Sequence, residues 1–218
     1  MAAINRKVYA WVVFVTIAAA AMLVVGWPLG AAFPGPWAIG SFTLVAFLLD
    51  RTGNELHIEA RGSTSFVVHL ASGVLFGPFW GGVVTGTSTV FGQAYEGQSA
   101  IKVVFNAAQR IVAVVGGLLL LHLLGASHPL IDFTGDALVV GRDLQRDLVL
   151  FSLFASFYFG FNTTAVSVAV ALNSGRRFID VWNLNAKGVI GYDLAASFIA
   201  IVLAWLYVIF DEMIGFGA

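Results

Sequence analysis

The sequence contains no cysteine. That excludes a disulfide framework, a thiolate nucleophile and any cysteine-based metal site, and it leaves the redox compartment open. Charge is scarce as well: Asp, Glu, Lys and Arg make up 11% of the 218 residues, against about a quarter in ordinary soluble domains. Basic residues form no run longer than the pairs Arg6-Lys7 and Arg176-Arg177, and the net charge is −1. The electrostatic footprint of a nucleic-acid-binding protein is therefore missing. Nor does the chain carry a nucleophile–base pair, a phosphate-cradling glycine loop or a carboxylate pair suited to hydrolysis. Catalysis by this chain is not expected, and neither a cofactor nor a bound metal is implied.

What the chain has in abundance is apolar sequence, at 59% of residues. No water-soluble fold hides that much. The apolar residues are grouped into runs of membrane-crossing length at Val8–Trp27, Lys102–Leu124, Leu148–Leu172 and Val189–Phe210, each about the 20 residues that a bilayer core of roughly 30 Å requires. The first run follows Arg6-Lys7 like a secretory signal, but it is too long for a signal's apolar region and more spans follow, so it reads as a retained signal-anchor. Pro28, Pro34 and Pro36 in "WPLGAAFPGPW" cannot continue a helix and mark a turn at the membrane surface. A shorter run from Trp37 to Leu49 ends at Asp50-Arg51, after which "NELHIEARGS" alternates polar and apolar residues as an extended segment would.

The stretch "SFVVHLASGVLFGPFWGGVVTGTSTVFGQAY" is split by Gly77-Pro78. Proline removes an amide donor and pushes its predecessor out of the helical region, so two short helices meeting at a tight turn are expected in place of one kinked span. The fold expected is an all-α polytopic membrane bundle of about seven spans, over 8–27, 36–50, 65–77, 79–95, 102–124, 146–172 and 189–210. With the N-terminus in the cytoplasm, seven spans place eight Lys and Arg inside and two, Arg142 and Arg146, outside. Treating 65–95 as one span gives six and four. The asymmetry favours the broken pair and puts the C-terminus outside.

Polar groups inside apolar runs cost free energy unless partnered, so each is a candidate site residue or a helix-to-helix anchor. Asn106, Gln109 and Arg110 share one helix face in "VFNAAQR". Asp193 is the acid best placed inside an apolar run, and at a matching depth it is expected to pair with Arg110. Asn162, with Thr163 and Thr164, lies mid-span, where its amide needs an interhelical hydrogen bond or a ligand. His69 lies in the short helix before Gly77; a lone membrane histidine is more often a hydrogen-bonding residue than a ligand to metal. Glu55, His57 and Glu59 could in principle share a metal on one face of the extended segment. Gly82 and Gly86, with Thr85, Ser88 and Thr89, suit close backbone packing and could also line a cavity.

The segments "GSTSFVVHLASGVLFGPFWGGVVTGTSTVFG", "KVVFNAAQRIVA" and "FYFGFNTTAVSVAVALNSG" resemble the N-terminal multi-pass membrane domain of bacterial signalling proteins. In that family the domain precedes a cytoplasmic HD-GYP or GGDEF module acting on cyclic di-GMP. The resemblance runs from about Phe42 to Tyr207 and implies a sensory domain in the bacterial inner membrane, working through an output module or a homodimer. No HD-GYP or GGDEF residues are present, so the chain is expected to be either the membrane portion of a longer protein or a relative that signals to another subunit. A more distant likeness, carried by the "LFGPFWGG" turn, is to the substrate-capturing S-component of energy-coupling-factor vitamin transporters. It implies a six-helix substrate-binding core with one helix added at the N-terminus. The partners expected are the lipid bilayer and a small-molecule ligand, unless the domain senses membrane state itself; the polar groups inside apolar runs, Arg110, Asn106, Gln109, Asn162, His69 and Asp193, are the residues expected to bind the ligand.

Overall fold

In the computed structural model, residues 6–29, 32–53, 64–126, 142–187 and 190–214 are described. The alternating segment at 54–63, with its possible Glu55, His57 and Glu59 metal site, lies outside them, as does most of the 127–147 loop. All the regular structure among the described residues is helical, with no strand. In order they are α1 (Arg6–Gly26), a single 3₁₀ turn (Trp27–Leu29), α2 (Pro36–Gly53), α3 (Phe66–Tyr95), α4 (Ala100–Leu123), α5 (Arg142–Ser174), α6 (Phe178–Ala186), α7 (Ile190–Ser197) and α8 (Ile199–Ile214). Among the described residues, five stretches are long and apolar enough to cross a membrane: 6–29, 66–95, 100–123, 145–174 and 190–211. This is a polytopic membrane protein.

By length and composition α3 would pass as one rod. Its contacts exclude that. Gly77 has φ 73° and ψ −174°, a left-handed setting that costs a residue with a Cβ about 1 kcal/mol or more, and Pro78 follows with no amide to donate. Across this turn a Cβ on Gly81 would lie 2.7 Å from Gly73 Cα, and His69 Nε2 lies 3.1 Å from Ser88 Oγ. In a straight helix those last two residues would be about 28 Å apart. The 66–76 and 78–95 arms are therefore antiparallel, and glycine at both 73 and 81 lets their backbones touch.

The hairpin is the centre of the bundle. Val68, Leu70, Ala71, Val74 and Val84 are fully enclosed, with Val114 and Leu118 of α4 and Phe151 and Phe154 of α5 around them. The α4 helix runs antiparallel to the 78–95 arm, since a Cβ on Gly82 would meet Val115 while Gln93 bonds Asn106. Helix α1 runs parallel to α4 and packs on it through Val12, Val15 and Ala19 against Phe105, Ala108 and Val112. Helix α5 runs antiparallel to α4, with Phe154 against Gly117 and Ala165 beside Phe105 and Ala108. Helix α2 runs alongside the 78–95 arm, with Thr43 near Thr87 and Phe47 on Tyr95.

These directions gather Arg6, Lys7, Arg51, Lys102, Arg176 and Arg177 at one end of the bundle and leave Arg146 at the other. The opposite end carries the hairpin tip, where Trp27, Phe33, Phe79 and Trp80 stack in a tilted and edge-on cluster. Such aromatics suit a membrane–water interface. Two features depart from the sequence reading. The expected link between the last two spans contains a further helix, α6, held on α5 by Trp182 Nε1 to Thr164 Oγ1 at 3.3 Å and Asn185 Nδ2 to Ser167 Oγ at 2.9 Å. The last expected span carries a single turn residue at Phe198, between α7 and α8, within one stretch of membrane-crossing length.

Candidate functional site

Where α2, α4, α5 and both arms of the hairpin meet, buried polar side chains form a connected seam. Arg110 enters from α4, about 12 Å along that helix from Lys102. Its Nη1 lies 3.2 Å and 3.4 Å from the two carboxylate oxygens of Asp50 and 3.3 Å from Thr89 Oγ1. Both partners are well enclosed, Arg110 at 15% and Asp50 at 8% exposure. Ser65 Oγ, at the start of the short arm, donates to Asp50 Oδ1 at 2.8 Å. Gly92 makes room for the carboxylate: a Cβ there would stand 3.0 Å from Asp50 Oδ2.

The seam continues through the 78–95 arm. Thr89 Oγ1 donates to the Thr85 carbonyl at 2.7 Å, and Ser88 Oγ donates to the same carbonyl at 3.2 Å. With its proton committed there, Ser88 Oγ is left to accept from His69 Nε2 at 3.1 Å. His69 Nδ1 then accepts from the Tyr158 hydroxyl, 3.2 Å away on α5. One set of donor directions thus links Tyr158 through His69, Ser88, Thr89 and Arg110 to Asp50 and Ser65, while Thr85 Oγ1, fully buried in the same arm, meets no partner. In a low-dielectric interior each of these bonds is strong, and the seam as a whole is only partly satisfied.

The arrangement corrects one expectation directly: Arg110 pairs with Asp50, not with Asp193. The hairpin draws the C-terminal end of α2 against α4, so the nearer carboxylate is the one at the end of the short apolar run. Asp193 sits half-buried in α7 on the bundle-facing stripe that continues through Ser197, Ala200 and Ala204. His69 is fully enclosed and central to the seam, a hydrogen-bonding role rather than a metal-ligating one. Among the described residues, no group of three His, Asp or Glu side chains is placed to hold a metal. Asn106 Nδ2 donates to Gln93 Oε1 at 2.7 Å, tying α4 to the end of α3.

Gln109 and Asn162 behave differently. Gln109 is 3% exposed, yet its Oε1 meets no donor, and the same holds for Oδ1 of Asn162. The structure therefore brings Arg110 and His69 into one network, sets Asn106 at its edge, leaves the amides of Gln109 and Asn162 outside it, and places Asp193 on a separate helix. Five members of the seam are not among the site residues expected from sequence. Asp50 ends a span, Ser65 starts a helix, Tyr158 is one aromatic among several in an apolar run, and Ser88 and Thr89 suit backbone packing.

Comparison with protein families, with curated proteins and with solved structures returns no match. The seam itself must carry the functional argument. Because Tyr158 closes it on α5, Tyr158→Phe should cost about 1 kcal/mol, the net value of one buried hydrogen bond with the acceptor left unfilled. Thermal unfolding of the purified variant in detergent checks this, and an unchanged midpoint would detach α5 from the network.

Proposed function

We propose that this chain is a membrane-embedded input domain of the bacterial inner membrane, with seven spans and its N-terminus in the cytoplasm. It binds a small ligand or senses membrane state and passes a conformational shift to an output partner. The observation that carries the reading is the enclosed Arg110–Asp50 pair within the seam. Burying two charges in a bilayer-embedded bundle gives little net stability over apolar replacements, so a pair kept there is suited to a switch between two arrangements. Ligand binding moves such an equilibrium only through different affinities for the two states.

The test replaces both charges together. Asp50→Leu with Arg110→Leu should keep the fold while fixing the bundle in one state. Spin labels at the exposed positions Leu48 and Val104, measured in nanodiscs, should report two distance populations in the native chain and one in the double variant. A single distance common to both would contradict the reading. The Gly77-Pro78 hairpin also supports a second reading, a substrate-capturing transporter subunit of the S-component type. That reading requires solute uptake that depends on a partner ATPase, which an input domain does not.

A further inference from the structure

Near the basic end of the bundle, α1 and α4 form an apolar groove of about 330 Å³ that opens on the outer surface. That volume falls inside the range of small-molecule sites, about 300–1,000 Å³. Its cause lies in how α1 is attached. At the far end α1 rests on the 78–95 arm, where Cβ atoms on Gly26 and Gly82 would meet Pro78 and Leu23. Near the basic end Trp11 Nε1 instead donates to the Ala165 carbonyl of α5 at 3.2 Å, and on the opposite face of α1 the small Ala100 of α4 leaves a gap. Tyr9, Val13 and Ile17 recur every fourth residue along that face and are exposed. Thr16, also in the wall, donates to the Val12 carbonyl at 2.8 Å, so its hydroxyl adds no polar demand.

The groove is shaped for a chain more than for a compact solute. From Tyr9 to Ile17 it runs about 12 Å along α1, and its open side faces the lipid around the bundle. Charge stands at one end. Arg6 is exposed, precedes Tyr9 by about one turn on the same face, and is followed by the exposed Lys7. The two outweigh Glu96, the acid in the turn before α4. Tyr9 stands between charge and groove, its ring apolar and its hydroxyl able to donate at headgroup level. A molecule with a long apolar body and an anionic end matches this order of residues. Lys102 is exposed at the same depth, but it lies roughly 160° around α4 from Val104 and so points away from the groove.

We infer that the groove between α1 and α4 binds an anionic phospholipid of the leaflet at the basic end. One acyl chain lies along Val13 and Ile17, and the phosphate is held by Arg6 and Lys7. The site adds to the input-domain reading and does not depend on it.

The experiment adds dioleoyl phosphatidylglycerol or dioleoyl phosphatidylcholine, which share their tails and differ in net charge, to the whole chain in a non-ionic detergent. The readout is the midpoint of thermal unfolding. Phosphatidylglycerol should raise it by about 3 °C through mass action, and phosphatidylcholine by less than about 1 °C. Arg6→Gln should at least halve the difference between the two lipids. Lys102→Gln, which removes one charge at the same depth but off the groove, should leave the difference intact. Val13→Trp and Ala100→Leu fill the groove at exposed positions and should abolish the phosphatidylglycerol shift; should either lower the lipid-free midpoint, the other variant and the Arg6 and Lys102 comparison still decide. Equal shifts with the two lipids, no shift with either, equal losses in Arg6→Gln and Lys102→Gln, or a full shift in the groove-filling variants would each overturn the site.

Discussion

Asp50→Ala should destabilise the protein by about 3–5 kcal/mol, the cost of leaving a buried charge without its partner. Arg110 would keep only Thr89 as a described acceptor, and Ser65 would lose the carboxylate it donates to. Arg110→Ala should be similarly damaging for the mirror reason. Asp50→Asn, which keeps hydrogen-bonding capacity and removes the charge, should fall between Asp50→Ala and the native protein. The Asp50→Leu, Arg110→Leu double variant should recover most of the loss, since apolar residues of similar volume often replace a buried pair without penalty. Denaturation of the native protein, Asp50→Leu, Arg110→Leu and the double variant in one detergent gives the double-mutant cycle. Simple additivity of the two single effects would mean that the pair does not act as a unit.

Gly81→Ala should cost about 3 kcal/mol, at the upper end of overpacking effects. The sign is informative. In a straight helix alanine is the better residue by about 1 kcal/mol, so a single-span α3 would be stabilised by this change. In the hairpin the new methyl group lies 2.7 Å from Gly73 Cα and 3.0 Å from Gly73 N, backbone atoms that yield only if the two arms separate. The neighbouring change Gly82→Ala is an internal control. Its Cβ meets the methyl ends of Val115 and Leu23 at 2.6 Å and 2.7 Å, side-chain tips that can rotate aside, so its cost should be clearly smaller. Midpoints of thermal unfolding for the two variants in the same micelle decide the matter.

The hairpin was legible in sequence because its cause is local. Proline at 78 and glycine at 77 act on the backbone wherever they occur, and the charge asymmetry of the loops agreed with a break there. The members of the seam were legible only singly. His69 and Arg110 stood out because each is costly in an apolar run, but partner choice depends on how helices far apart in sequence are brought together. Asp50 and Arg110 are 60 residues apart, and no periodicity links them. Asp193 matched Arg110 in depth and sign, yet depth says nothing about which helix is adjacent. Tyr158 left no trace at all: in "FASFYFGF" a hydroxyl among rings looks like packing until His69 is found beside it. Helix α6 was missed because "RRFIDVWNLNAKG" is polar enough to read as a loop, while its helicity depends on docking Trp182 and Asn185 onto α5.

The account depends most on α3 doubling back so that His69 meets Ser88 and the seam can close. A chain without cysteine permits a clean measurement: spin labels at Thr64→Cys and Ser99→Cys, read by pulsed electron–electron resonance in nanodiscs. The hairpin predicts a distance below about 30 Å, since both sites lie toward the basic end of the bundle. One continuous helix would hold them roughly 50 Å apart, and a distance near that value would contradict the fold, the seam and the function proposed from them.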